Sequence, residues 1–103
     1  MCMDEGFAKA SQLIAADSMA LSESDLNSKG YELLQNEKHL SAIDIFRIAA
    51  QAFPESYYSF DSLGEAYMKN GNIELAILNY KKSLVINPEN ENAKEMIKEL
   101  EGN

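Results

Sequence analysis

LGEAYMKNG, Leu63 to Gly71, has the apolar spacing of a helix and a glycine at its second position. Glycine inside a helix costs about 1 kcal/mol relative to alanine, so its presence calls for a packing reason. KGYELLQNE, Lys29 to Glu37, repeats the oddity upstream, and Gly30 and Gly64 lie 34 residues apart. Shifting the chain by that interval aligns Glu23–Ser56 with Tyr57–Asn90 and makes seven of 34 pairs identical. The identities are Ser28/Ser62, Gly30/Gly64, Asn36/Asn70, Ala42/Ala76, Ile43/Ile77, Pro54/Pro88 and Glu55/Glu89. Leu26/Phe60, Leu34/Met68, Phe46/Tyr80, Arg47/Lys81 and Ala49/Ser83 keep their character. A fixed period of this length is the mark of a stacked repeat array.

Each unit reads as two helices. In the second, Phe60, Leu63, Tyr67 and Met68 share a stripe that breaks at Asn70-Gly71-Asn72. A further stripe, Ile73, Ala76, Ile77, Tyr80 and Leu84, ends at Asn87-Pro88. The first unit follows the same plan. Leu26, Leu33 and Leu34 lead to a turn at Asn36-Glu37-Lys38, and Leu40, Ile43, Phe46 and Ala50 run to Phe53-Pro54. Ser22 followed by Asp25 forms a capping box for the first helix. In stacked hairpins, Gly30 and Gly64 would admit a neighbouring backbone, with Phe46 and Tyr80 filling the remaining space.

These residues resemble the tetratricopeptide repeat, whose pattern runs large, Leu, Gly, Tyr, then Ala, aromatic, Ala and Pro. Unit two offers Phe60, Leu63, Gly64, Tyr67, Ala76, Tyr80, Ser83 and Pro88. Unit one keeps Leu26, Gly30, Ala42, Phe46, Ala49 and Pro54 but has Lys29 and Leu33 where Leu and Tyr are usual. The resemblance implies an all-α fold, an antiparallel helix-hairpin solenoid of about six helices in one domain spanning 1–103. Residues 23–56 and 57–90 are the two repeats, and 91–101 form a closing helix with Ala93, Met96, Ile97 and Leu100 on its inner stripe. Residues 4–19 read as a flanking helix or half-repeat, with Ala8 and Ala15 at the offsets of Ala42 and Ala49.

Composition narrows the function. Seventeen acids against nine bases give a net charge of −8, and none of the four segments is basic, so nucleic acid has no electrostatic footprint. Solubility is the plain reading of the acidity and a basic protein partner the sharper one. No apolar run is long enough for a membrane span and no secretion signal is seen, which leaves a soluble, by default cytoplasmic, chain as the expectation. Cys2 is the sole cysteine and His39 the sole histidine. Neither has the companions that a zinc site or a catalytic centre requires, and no nucleophile elbow, EF-hand or phosphate loop occurs. The expectation is a non-enzyme with no cofactor and no metal.

In the resembled family the first helix of each hairpin lines a concave face that binds peptides or partner helices. The matching positions here include Asn27, Tyr31, Leu34 and Gln35 from unit one and Tyr58, Asp61, Glu65, Met68 and Lys69 from unit two. Ser24, Asn92 and Glu95 extend the same surface, and Met68 serves groove or core equally well. A solvated face without a ligand is the bland alternative. The carboxylate clamp that some members use on chaperone tails needs a cation that Asn27, Tyr31, Ser62, Asn92 and Met96 do not supply. Exposed apolar surface on the first helix would also allow a homodimer.

A narrower likeness covers most of the chain. LNSKGYELLQNEKHLSAIDIFRIAAQAFPES, YSFDSLGEAYMKNG and NYKKSLVINPENENA are similar to the helical tail of some bacterial serine hydrolases, of the β-lactamase-like or α/β-hydrolase esterase kind. That likeness implies an accessory tail with a structural or positioning role as the alternative to a protein-interaction module.

Overall fold

The computed structural model describes residues 22–102, so the flanking helix expected over 4–19 lies outside the described residues. Five helices follow one another: α1 Glu23–Gln35, α2 His39–Ala52, α3 Tyr57–Lys69, α4 Ile73–Ile86 and α5 Glu91–Glu101. Among the described residues there is no strand. Sequential helices pack on one another, α1 on α2, α2 on α3, α3 on α4 and α4 on α5. The architecture is the all-α antiparallel helix-hairpin solenoid that the 34-residue period implies.

The connections repeat as faithfully as the helices. α1 ends with Lys38 N–H on Leu33 O at 2.8 Å and Glu37 N–H on Leu34 O at 3.0 Å. α3 ends with Asn72 N–H on Tyr67 O at 2.8 Å and Gly71 N–H on Met68 O at 3.0 Å. Both are Schellman closures, which need a left-handed residue just past the helix. Unit two meets that need with Gly71 at φ 88°, whereas unit one places Glu37 there at φ 61°. The exits from α2 and α4 also match. Phe53 and Asn87 cap with N–H groups on Ala49 O and Ser83 O, and Pro54 and Pro88 forbid a further helical turn. At the start of the described chain, Ser22 Oγ accepts from Asp25 N–H and Asp25 Oδ2 from Ser22 N–H, each at 3.1 Å, closing the capping box.

The glycines owe their place to rings rather than to backbones. A Cβ built on Gly30 would lie 2.4 Å from Cε1 of Phe46, and one on Gly64 would lie 3.0 Å from Cδ2 of Tyr80. The expected approach of a neighbouring backbone is therefore corrected: the occupant of the glycine space is the aromatic side chain of the hairpin's second helix. Phe46 and Tyr80 are in turn almost fully buried. Two core clusters form around them. Leu34, Ala42, Ile43, Phe46, Leu63 and Ala66 make the first, and Ala76, Tyr80 and Ala93 the second. Met96, Ile97 and Leu100 of α5 pack on the second cluster, while Lys94, Glu95, Lys98 and Glu99 face solvent. Ile73 and Leu40, read as core from the sequence, are exposed at the starts of α4 and α2.

Three stability outcomes follow from these geometries. Gly30→Ala forces a methyl into the Phe46 ring and should lose about 1–3 kcal/mol in denaturant unfolding. Gly64→Ala should change stability by less than about 1 kcal/mol, because its looser contact is offset by helix propensity. Equal losses at the two sites would contradict the ring-in-glycine account. Glu37→Gly relieves a left-handed residue with a side chain and should raise stability by about 1 kcal/mol, read as a higher denaturation midpoint at unchanged slope.

Candidate functional site

The first helices of the two hairpins, α1 and α3, lie side by side and enclose a groove. One hollow of about 460 Å3 is lined by Glu23, Ser24, Asn27, Ser28, Tyr31 and Tyr58. A second, of about 230 Å3, is lined by Tyr31, Leu34, Gln35, Glu65 and Lys69. Tyr31 belongs to both and joins them into one surface. It stands edge-on to Phe46 with ring centroids 5.1 Å apart, and its hydroxyl shares a 2.9 Å hydrogen bond with Ser62 Oγ. Burial pushes the Tyr31 phenol up to about 12, so it is a neutral hydroxyl at any physiological pH. The core therefore fixes one aromatic wall of the groove. Tyr58 forms the other wall and is 52% exposed.

Asn27 sits at the floor of the larger hollow. It is only 8% exposed, and its Oδ1 is buried without a hydrogen-bond partner. Buried polar atoms are ordinarily satisfied, and an orphaned carbonyl costs about 1–3 kcal/mol. Glu23 sits at the rim, where its Oε2 accepts from Ser56 Oγ and, at 3.0 Å, from Ser59 Oγ. These bonds tie the first turn of α1 to the start of α3 and hold a carboxylate beside the hollow. In the sequence Glu23 reads only as a helix start; its partners sit more than 30 positions away, beyond any local pattern.

The nine residues assigned to this face from the sequence divide three ways. Asn27, Tyr31, Leu34, Gln35, Tyr58, Glu65 and Lys69 line the joined hollows. Leu34 contributes little surface there, being 6% exposed and part of the first core cluster. Met68 packs on the α4/α5 core instead. Asp61 is taken up in structure: its Oδ1 accepts from Asn90 Nδ2 at 3.1 Å and its Oδ2 from Asn92 Nδ2 at 3.2 Å. Asn90 also donates to Ser83 Oγ at 2.8 Å and caps α5 through Ala93 N–H at 3.3 Å. Glu23 and Ser28 join the groove without having been singled out by position.

Among the described residues no group of three or more His, Cys, Asp or Glu is placed to hold a metal ion. His39 opens α2 and shares a shallow surface with Glu37, Lys38, Leu40, Ser41 and Asn70. None of the described helices is long and apolar enough to cross a membrane.

Residues 58–90 match the family model described as Tetratricopeptide repeat. The matched segment is the second hairpin, α3 and α4, almost from end to end. Repeats of this kind generally mediate protein–protein interaction. The match bears on the repeat resemblance alone and does not extend to the serine-hydrolase tails. No curated protein matches the chain.

Burial raises the Asp61 carboxyl above its ordinary range, against the lowering effect of its bonds to Asn92, Asn90 and Ser83. A folded-state value above the unfolded one means that the native state binds the extra proton, so this group opposes folding as pH rises. Its penalty is absent below the ordinary aspartate value of about 4 and complete above the raised one. Asp61→Asn should accordingly gain stability relative to wild type between about pH 4 and 7, measured as the difference in melting temperature. A difference that stays flat or shrinks over that interval would contradict the assignment.

Proposed function

We propose that this chain is a non-catalytic protein-interaction module that takes a basic peptide segment along the α1/α3 groove. The observation that carries the reading is Asn27, whose nearly buried carboxamide lines the hollow with an unpartnered oxygen. A modest rotation of the carboxamide would turn that oxygen into the groove between Tyr31 and Tyr58, where a backbone or side-chain N–H of a bound peptide would satisfy it. The aromatic walls supply large apolar faces at small entropic cost, which suits recognition of a peptide side chain. Glu23 and Glu65 place two acids along the groove against one base, Lys69, so the electrostatics favour a cationic ligand.

Peptides selected from a random display library against the full chain test this reading. The enriched sequences should carry Lys or Arg, and the best of them should bind about tenfold more weakly to Tyr58→Ala. Glu65→Lys should weaken the same peptides by a similar factor and steepen with falling salt. Tyr58 is the better site to truncate than Tyr31, because removing the Tyr31 ring would also strip Phe46 of its edge contact. Binding that ignores both substitutions would remove the groove from consideration.

A further inference from the structure

Glu23, Asn27 and Tyr31 follow one another at intervals of four on α1, so all three lie on one face of that helix. With Ser24, Ser28 and Tyr58 they line the larger hollow of the tyrosine groove. Four residues of helix rise about 6 Å, which sets Glu23 and Asn27 about one turn apart. The hollow holds about 460 Å3, within the range of small-ligand sites of about 300–1,000 Å3, and so has room for one long side chain. One acid and no base line it. The smaller hollow beyond Tyr31 differs, because there Glu65 is balanced by Lys69.

The two polar groups of the larger hollow lack different things. Glu23 Oε2 accepts from the hydroxyls of Ser56 and Ser59. Both partners are neutral, so they hold the carboxylate in place without cancelling its charge. Asn27 is nearly buried, and its Oδ1 has no hydrogen-bond partner. A ligand that answers both brings a positive charge together with more than one N–H donor. It also sheds water readily, since the Asn27 acceptor sits at the floor. Tyr58, half exposed in the same lining, offers an aromatic ring for a cation to stack on.

Resting on the groove reading above, we propose that the larger hollow is a subsite for one arginine side chain of the bound peptide. A guanidinium is planar and carries five N–H donors, so one edge meets the Glu23 carboxylate while another N–H reaches Asn27 Oδ1. Its face stacks on the Tyr58 ring. Lysine satisfies less of the site. Its ammonium is compact and strongly hydrated, and stripping it of water beside a nearly buried acceptor costs more. A quaternary ammonium would stack on the tyrosine but has no N–H for Asn27. Citrulline keeps the shape and several donors of arginine but gives Glu23 no charge to pair with.

The test is a titration of the full chain with the N-acetyl amides of arginine, lysine and citrulline, followed by NMR at the Asn27 side-chain amide and the Tyr58 ring. The arginine compound should shift both sets of signals at millimolar concentration. It should bind about fivefold more tightly than either of the others, the equivalent of one net hydrogen bond. Glu23→Gln retains an acceptor for Ser56 and Ser59 and removes the charge, so it should bring the arginine and citrulline compounds to equal affinity, with helicity by circular dichroism unchanged. Tyr58→Ala should weaken the arginine compound by a similar factor. Equal binding of arginine and lysine, or an arginine preference that survives Glu23→Gln, overturns the subsite. So does a titration in which the Asn27 amide does not move. Display-selected peptides then separate the two readings: if they still lose affinity on Tyr58→Ala, the subsite alone has failed, and if they do not, the groove has failed with it.

Discussion

The fit of an aromatic ring over a glycine is the constraint on which the rest of this array depends. Phe46 lies where a side chain on Gly30 would be, and Tyr80 stands the same way to Gly64. Each contact lets the two helices of a hairpin close until Ala42 or Ala76 is completely covered. Dense packing of this kind does not tolerate the loss of either ring, and at Gly30 it does not tolerate an added methyl. From that closeness comes the groove. Tyr31 is adjacent to Gly30 in sequence and is braced edge-on by the same Phe46 ring, so the residue that joins the two hollows is positioned by the contact that closes the hairpin.

What could be read from the sequence was the part of the structure that repeats. Gly30/Gly64, Phe46/Tyr80 and Pro54/Pro88 announce themselves because each breaks a local preference at a fixed interval. The fold follows from them with little ambiguity. Positions on the concave side could also be named by register, but register does not report depth. Leu34 and Tyr58 fall on the same predicted face, yet one is buried in the first cluster and the other is half exposed. Asp61 reads as a solvated acid and is instead the acceptor that ties α3 to the start of α5 through Asn90 and Asn92. Such contacts join residues 29 and 31 positions apart, and nothing in composition or periodicity encodes a pair of that kind.

Charge is distributed with more order than the net value suggests. Glu23 and Glu65 mark the tyrosine groove, whereas the hollow lined by Phe60, Leu63, Tyr67, Leu75 and Leu78 has Lys82 and no acid in its lining. A uniformly acidic chain would stay soluble but discriminate poorly between partners.

The 34-residue shift also exposes where the two repeats cease to be equivalent. Leu63 and Ala66 of α3 are buried in the first cluster with Ala42, Ile43 and Phe46 of α2. Their counterparts on α1 are Lys29 and Glu32, which face solvent as an ion pair of 3.7 Å with both side chains more than half exposed. Such a pair adds little to stability where it stands. Its consequence is negative: any helix stacked on α1 in the repeat register would have to strip water from both charges, and their mutual attraction offsets that cost only with near-ideal geometry. α5 shows the contrasting arrangement, an apolar inner stripe packed on α4 with charges confined to its outer positions.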